Sequence, residues 1–328
     1  MKQIRLGIIG LGYIGQVHLR HSLKLTDARV TAVSDLSKKA IARAKEMGIT
    51  KTYTDYELLL RDSDVDAVII ALPTHLHYQC AKQAAEARKH IFLEKPIARN
   101  VEEAKQIISS AQKNSIKLMM GYPLRFDSDL RAIKEKIDNG TLGDIELADV
   151  TYISTGPFFH RADGYSPVPV PDWWFNKELT GGGVLIDLGS HIINLLRMYF
   201  GEIVGINSYL RHRFNLDLED GATCVAKFET GATALINVGW FSQEYQFRLL
   251  LSGSVKHASY KHIIPNPIIA AFQTLTKGRS EFYSPHFTEL QHFTNCLVTD
   301  TPPSPTGEDG LRDIEAITLA YRNEIKLE

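Results

Sequence analysis

The sequence lacks the marks of an oxidised, disulfide-held protein. Its three cysteines, Cys80, Cys224 and Cys296, are far apart and odd in number. They form neither a disulfide framework nor a CxxC metal pair, and a cytoplasmic, reducing setting is the expectation. Charge of one sign is missing as well. Lys plus Arg number 37 against 38 Asp plus Glu, a net charge of −1, so no broad field draws the chain to nucleic acid or to an anionic membrane. No uninterrupted apolar stretch is long enough to span a bilayer. The opening MKQIRLGIIGLGYIG places positive residues before an apolar run, but that run is short and Gly-rich and serves better as strand and turn than as a signal peptide. Internal repeats and low-complexity segments are absent.

What is present is ordinary globular material, 44% hydrophobic and 23% charged over 328 residues, enough for two domains. The first 120 residues alternate: apolar strands at 4–10, 28–35, 66–72, 90–94 and 117–122, with helix patterns from 14, 37, 75 and 100. DAVIIAL (66–72) is a near-continuous apolar run, the pattern of a parallel strand buried on both faces. Strands alternating with helices imply right-handed βαβ units and a doubly wound sheet. After Pro123 the pattern changes. A helix is expected over 127–139, strands over 145–154, 204–213, 222–229 and 232–241, and a hairpin turn at Glu229-Thr230-Gly231. The Pro- and aromatic-rich stretch 156–173 reads as a long loop, and two helices are expected near 285–298 and 307–323. The expectation is an α/β protein with an N-terminal dinucleotide-binding domain over 1–123. A second α+β domain over 124–328 carries a large, mainly antiparallel sheet, and the C-terminal helix is free to pack back on the first domain.

Gly10-Leu-Gly12-Tyr-Ile-Gly15 is a GxGxxG run that follows a strand and opens a helix, with Asp35 lying 20 residues beyond Gly15 at the end of the next strand. That context is what a dinucleotide fingerprint requires. Gly10 permits the tight turn, Gly12 lets the backbone approach a pyrophosphate, and Gly15 lets helix and strand pack closely, with the helix N-terminus facing the anion. Asp35 would bond the adenosine ribose hydroxyls and repel a 2′-phosphate, which favours NAD. Ser37, Lys38 and Lys39 soften that preference, so NADP stays the alternative. A helix cap is the bland role for Asp35.

GGGVLIDLGSHIINLL (181–196) is apolar apart from Asp187, His191 and Asn194, spaced i, i+4 and i+7. On an α-helix that spacing makes a polar seam. Histidine titrates near neutrality and suits the exchange of a hydroxyl proton, with Asp187 one turn earlier to orient it or the substrate. A buried Asp–His pair holding a helix in a core is the competing view. Glu94-Lys95-Pro96 ends a strand on the side where doubly wound sheets hold ligands. A lysine there stabilises a developing alkoxide, or is merely solvated. His75 and His77, at i, i+2, do not share a helix face, and no metal site is expected. Trp173 and Trp174, after Phe158, Phe159 and His160, suit stacking on a sugar ring or anchoring a loop.

Taken together, GLGYIG (10–15), ALPTHLHYQ (71–79), EKPIA (94–98), GYPLRFD (121–127) and GGGVLIDLGSH (181–191) resemble the Gfo/Idh/MocA oxidoreductases in order and spacing. The match covers most of the chain and weakens after about residue 245. The resemblance implies a Rossmann domain plus a C-terminal α/β domain whose open sheet face makes a homodimer or homotetramer. It implies NAD(P)-dependent hydride transfer at a hydroxyl or keto carbon of a sugar, polyol or nucleotide sugar. Lys95 would lie between nicotinamide and substrate, and Asp187 and His191 would be the active-site pair, with His191 the acid/base. Cofactor contacts are expected at Gly10, Gly12, Tyr13, Ile14, Gly15, Asp35, Leu72, Pro73, Thr74, His77, Glu94 and Lys95. Substrate contacts are expected at Lys95, Tyr122, Arg125, Trp174, Asp187 and His191. Many members carry an acid three residues past the histidine, where this chain has Asn194. Two other readings follow from the same resemblance: a sensor that binds NAD(P) without turnover, and a hydrolase or lyase that uses transient oxidation.

Overall fold

In the computed structural model, residues 3–157, 171–214, 216–242, 244–264 and 284–326 are described. The chain divides into two compact units, Met1–Phe126 with Ser280–Leu311, and Asp127–Arg279 with Arg312–Glu328. The C-terminal segment from Ser280 to Leu311 thus belongs to the first unit.

The first unit runs β1 (Ile4–Ile9), α1 (Tyr13–Ser22), β2 (Ala28–Ser34), α2 (Lys38–Glu46), β3 (Lys51–Tyr53), α3 (Tyr56–Arg61), β4 (Ala67–Ile70), α4 (Thr74–Glu86), β5 (His90–Glu94), α5 (Val101–Lys113) and β6 (Leu118–Gly121). The six strands are parallel, in the order β3-β2-β1-β4-β5-β6, the doubly wound order with its switch point between β1 and β4. Leu6 and Ile8 of β1 and all of β4 are fully buried, which is why these strands read as unbroken apolar runs. Side-chain caps start α2 and α5: Ala40 N donates to Ser37 Oγ, and Glu103 N to Asn100 Oδ1. β3 and α3 escape the sequence reading. β3 is a half-buried KTY tripeptide at the sheet edge, too short to show a pattern.

The second unit contains α6 (Ser128–Asp138), β7 (Ile145–Ile153), α7 (Lys177–Thr180), a π-helical turn (Leu185–Gly189) leading into α8 (Ser190–Phe200), then β8 (Ile203–Arg211), β9 (Gly221–Phe228), β10 (Thr233–Gly239), β11 (Tyr245–Gly253) and β12 (His257–Ile264). Its sheet has the order β12-β11-β7-β10-β9-β8. All pairs are antiparallel except β7–β10, which is parallel. The expected hairpin joins β9 to β10, with Gly231 at φ +95°. Ala222, Cys224, Ala226 and Phe228 are buried, as are Ile192, Ile193, Leu196 and Phe200 of α8, the last edge-on to Phe228 at 5.3 Å. β11 and β12 were not expected, although Phe247, Leu249 and Leu251 alternate inward as a strand should. Most of the long loop, 158–170 with Phe158, Phe159 and His160, lies outside the described residues.

The last two helices are α9 (Pro285–Val298) and α10 (Gly307–Arg322). α9 belongs to the first unit, where Phe287, Leu290 and Phe293 share a core with Leu6, Ile8, Leu19 and Phe92. By length and composition the stretch Lys177–Phe200 would cross a bilayer, but 78% of its apolar window is buried within the protein. The three cysteines are free and buried.

Candidate functional site

In the first unit the glycine turn is shaped by backbone crowding. A Cβ on Gly15 would lie 2.0 Å from the carbonyl oxygen of Gly10, and one on Gly10 would lie 2.5 Å from that of Ala71. Only glycine lets the turn reach across the switch point to the end of β4. Gly12 is the opposite case: a Cβ there would meet nothing within 4 Å. It also caps α1 without a side-chain bond. The bare amide end of α1 therefore faces open space, the arrangement that holds a pyrophosphate. Asp35 braces this turn. Its Oδ2 accepts from Leu11 N at 2.6 Å and its Oδ1 from Ser37 N at 2.6 Å. Each oxygen keeps a further lone pair for a ribose hydroxyl. Tyr13 is 86% exposed at the start of α1, with Ile14 half-buried behind it. These residues fit a dinucleotide.

The C-terminal ends of β4 and β5 supply the next part. Leu72, Pro73 and Thr74 are half-buried where α4 begins. His77 is buried, with Nδ1 2.8 Å from the oxygen of Pro96 and Nε2 2.8 Å from that of Leu72. Both ring nitrogens thus face backbone carbonyls, so His77 ties the two turns together. Burial pushes its imidazole down, and the two carbonyls pull the other way. Glu94 is similarly engaged: Oε1 is 2.5 Å from His18 Nε2 and Oε2 accepts from Lys95 N at 3.1 Å. Lys95 is half-buried and precedes a cis proline, Pro96. Tyr122 is buried after β6, and Arg125 pairs with Asp309 at 3.0 Å.

In the second unit the three glycines have a packing cause. Gly181 ends α7 at φ +85°. A Cβ on Gly182 would lie 2.1 Å from the Tyr321 hydroxyl, and one on Gly183 would lie 2.1 Å from the Glu219 carbonyl oxygen. The space saved admits the Glu219 carboxylate, which accepts from Gly183 N, from Leu185 N at 3.0 Å and from Tyr321 Oη at 2.8 Å. A carboxylate suits this helix start electrostatically, although burial raises the Glu219 carboxyl above its usual range.

From Gly182 to Phe200 only Asp187, His191 and Met198 are not buried. Asp187 sits in the π-helical turn, a feature that recurs at functional sites. Its Oδ2 accepts from Trp240 Nε1 at 3.2 Å. His191 follows in the first turn of α8, with Tyr152 edge-on at 6.2 Å. Tyr152 shares a hydrogen bond with Tyr245, and burial, with that bond and the Asp187 charge, raises its phenol far above the usual value. Trp174 stacks on Trp173 at 5.4 Å and meets Trp240 edge-on at 6.4 Å. Asn194 leaves the set. It is buried and donates to Asp313 Oδ2 at 2.6 Å, while Arg197 pairs with Asp313 Oδ1 at 2.6 Å. The seam expected from spacing therefore divides into an accessible Asp187–His191 pair and a buried Asn194–Asp313–Arg197 network. Trp240, Glu219 and Tyr152 escaped the sequence reading. A tryptophan closing a strand (NVGW) and an acidic pair just before one (Glu219-Asp220) were the available signals.

A doubly wound domain with a dinucleotide turn, in one chain with a unit presenting an Asp–His pair, defines the oxidoreductase class. Two sequence profiles of one family match: the oxidoreductase family NAD-binding Rossmann fold over residues 4–122, and the GFO/IDH/MocA C-terminal domain over 130–258. The chain belongs to the GFO/IDH/MocA oxidoreductase family, and its first unit is an NAD-binding Rossmann domain. It is similar to the myo-inositol 2-dehydrogenase of Thermotoga maritima, at 27% identity over 99% of this chain and 96% of that one. The scyllo-inositol 2-dehydrogenase (NAD(+)) of Bacillus subtilis is also 27% identical, over 98% and 95%. Among solved structures, the scyllo-inositol dehydrogenase of Lactobacillus casei with NAD(H) and scyllo-inositol superposes with a TM-score of 0.81, at 23% identity over 98% of this chain and 97% of that one.

Proposed function

We propose that the protein transfers a hydride between nicotinamide and a CH–OH or keto carbon of a sugar, polyol or nucleotide-linked sugar. His191 is the acid/base and Lys95 assists. The observation that carries this reading is the exposure pattern of the seam helix: between Gly182 and Phe200, two ionisable side chains are the only polar groups left accessible. Relatives named as inositol dehydrogenases support the substrate class.

The nicotinamide ring supplies the hydride acceptor or donor when bound. The chain's own residues do the rest. Gly10, Gly12 and the amide end of α1 receive the pyrophosphate, and Asp35 receives the ribose of NAD and disfavours a 2′-phosphate. Lys95 stabilises negative charge growing on the substrate oxygen. His191 takes the hydroxyl proton during oxidation and returns it during reduction, while Asp187, held by Trp240, fixes a neighbouring hydroxyl or the imidazole. The Trp173–Trp174 stack offers an apolar face to a ring. On the second unit's sheet, Leu147, Val225 and Leu250 are each 45–50% exposed, which supports a homodimer or homotetramer formed through that face. The buried, unpaired cysteines suit a cytoplasmic setting.

The test is an NAD- and NADP-coupled screen of cyclitols, sugars and nucleotide sugars, repeated with Lys95→Ala and His191→Ala. Both variants should lose turnover on the best substrate while NAD affinity stays within about threefold. Full turnover by both variants overturns the site assignment. Tight NAD binding with no hydride transfer to any substrate would turn the reading to a sensor.

A further inference from the structure

The first unit buries a group of ionisable side chains that no step above uses. His18 of α1 is wholly inaccessible and contacts two other elements, β5 and α9. Its Nε2 lies 2.5 Å from Glu94 Oε1 at the end of β5. Its ring stands edge-on to Phe92 at 5.2 Å and edge-on to His286 of α9 at 5.8 Å. His286 Nδ1 is 3.0 Å from Oε1 of Glu289, also wholly buried. Burying charge is expensive unless it is paired, and a core of Phe92, Phe293 and Leu290 would be cheaper if packing were the only need.

The pairing is not symmetrical. Burial pushes the Glu94 carboxyl up, but the bond from His18 and the electrostatic pull of His18, His286 and Lys95 hold it below the usual range. Burial instead keeps the Glu289 carboxyl above that range. The two oxygens of Glu94 have separate tasks. Oε1 is taken by His18, and Oε2 accepts the backbone N–H of Lys95 at 3.1 Å. Its back is closed by β6, where a Cβ on Gly121 would lie 3.1 Å from Oε1. On the other side of Lys95, His77 Nδ1 lies 2.8 Å from the oxygen of Pro96.

We infer that His18 is a positioning residue for Lys95, acting through Glu94 to fix the peptide from which the lysine side chain springs. His18 holds one carboxylate oxygen, so the other is aimed at the Lys95 amide. With Pro96 pinned by His77, the Lys95 Cα is held between two buried anchors. The ammonium then needs to order only its own four-carbon arm. Misplacing such a group by an ångström costs about a hundredfold in rate. The same geometry gives Glu94 a role behind the lysine.

The inference rests on Lys95 acting in the reaction, and the experiment separates the two. His18→Ala and His18→Gln are compared with wild type on the best substrate of the screen, with NAD affinity and thermal melts in parallel. The glutamine amide reaches the Nε2 position and restores a donor to Glu94. His18→Ala should lower kcat about 10–100-fold with KM and NAD affinity within about threefold, and His18→Gln should recover most of the loss. A folded His18→Ala with kcat within twofold of wild type, or His18→Gln no better than His18→Ala, overturns it. Should His18→Ala fail to fold, Glu94→Gln leaves one of the two N–H groups without its acceptor and should show the same fall in kcat; unchanged kcat there overturns the inference. A substrate-free readout is the ¹³C signal of reductively methylated Lys95 in the NAD complex, assigned by its loss in Lys95→Arg. It should shift or broaden in His18→Ala, and an unchanged signal overturns the positioning role. If Lys95→Ala keeps full turnover, the reading of Lys95 fails, whatever His18 does.

Discussion

The indole Nε1 of Trp240 donates to Oδ2 of Asp187 across 3.2 Å, joining the end of β10 to the π-helical turn 53 residues earlier. Trp240 is 1% exposed and Gly156 lies over its ring, where a Cβ would be 2.3 Å from Cγ. The indole is thus a fixed post, and the carboxylate is aimed by it. Trp240→Phe keeps most of the volume and removes the donor. A hydrogen bond to a charged acceptor is worth about 1.5–3 kcal/mol, so turnover should fall roughly 10–100-fold with the melting temperature little changed. Steady-state kinetics beside a thermal melt check this, and undiminished turnover would dismiss the post.

Asp35 stands between the glycine turn and α2, accepting from Leu11 N and Ser37 N. Asp35→Asn removes the charge that favours ribose hydroxyls and repels a 2′-phosphate. NAD affinity should weaken by about tenfold or more, and the preference for NAD over NADP should narrow. Titrations followed by NADH and NADPH fluorescence measure both.

Gly183 has no room for a side chain, because a Cβ would lie 2.1 Å from the Glu219 carbonyl oxygen. The clash is with backbone and no rotamer relieves it. Gly183→Ala should destabilise the second unit by about 1–3 kcal/mol, a fall of roughly 2–4 °C in melting temperature per kcal/mol for a domain of this size. A melt within 1 °C of wild type would show that the helix start is looser than its packing implies.

His21 gives the fold an acid-sensitive element. Burial, then the charges of His286, Lys24, His18 and Arg20, lower its imidazole to about 4 from 6.5. Between those values the unfolded chain binds the proton and the folded chain does not. Stability from this group is therefore whole above about pH 6.5 and is lost as pH falls toward 4. Discounted for partial exposure, the loss is on the order of 1–2 kcal/mol. His21→Gln should flatten the fall in melting temperature between pH 6.5 and pH 4, and an unaltered slope would assign the acid sensitivity elsewhere.

Much of the first unit was legible because its signals are local. The apolar run 66–72, the GxGxxG turn and Asp35 each carry their structural cause within a few residues, and Ser37 and Asn100 cap the helices they precede. β3 was not legible, since a three-residue edge strand has no periodicity. The seam helix shows the limit of local spacing. Asp187 and His191 stay accessible, but Asn194 turns inward to Asp313, 119 residues away, a partner that no spacing along one helix announces. The same limit hid Trp240 behind Asp187 and His18 behind Glu94.

By itself the sequence determined most of the strands and helices, the dinucleotide turn and the residue types available for proton and charge transfer, because hydrophobic period, glycine freedom and side-chain chemistry act at short range. Only the tertiary structure decided which of those residues are anchors and which are free to act. That choice depends on the partner each polar atom finds when it is buried. Such partners come from strands and helices far apart in the chain: His18 for Glu94, Glu219 for the glycine-rich helix start, Trp240 for Asp187 and Asp313 for Asn194.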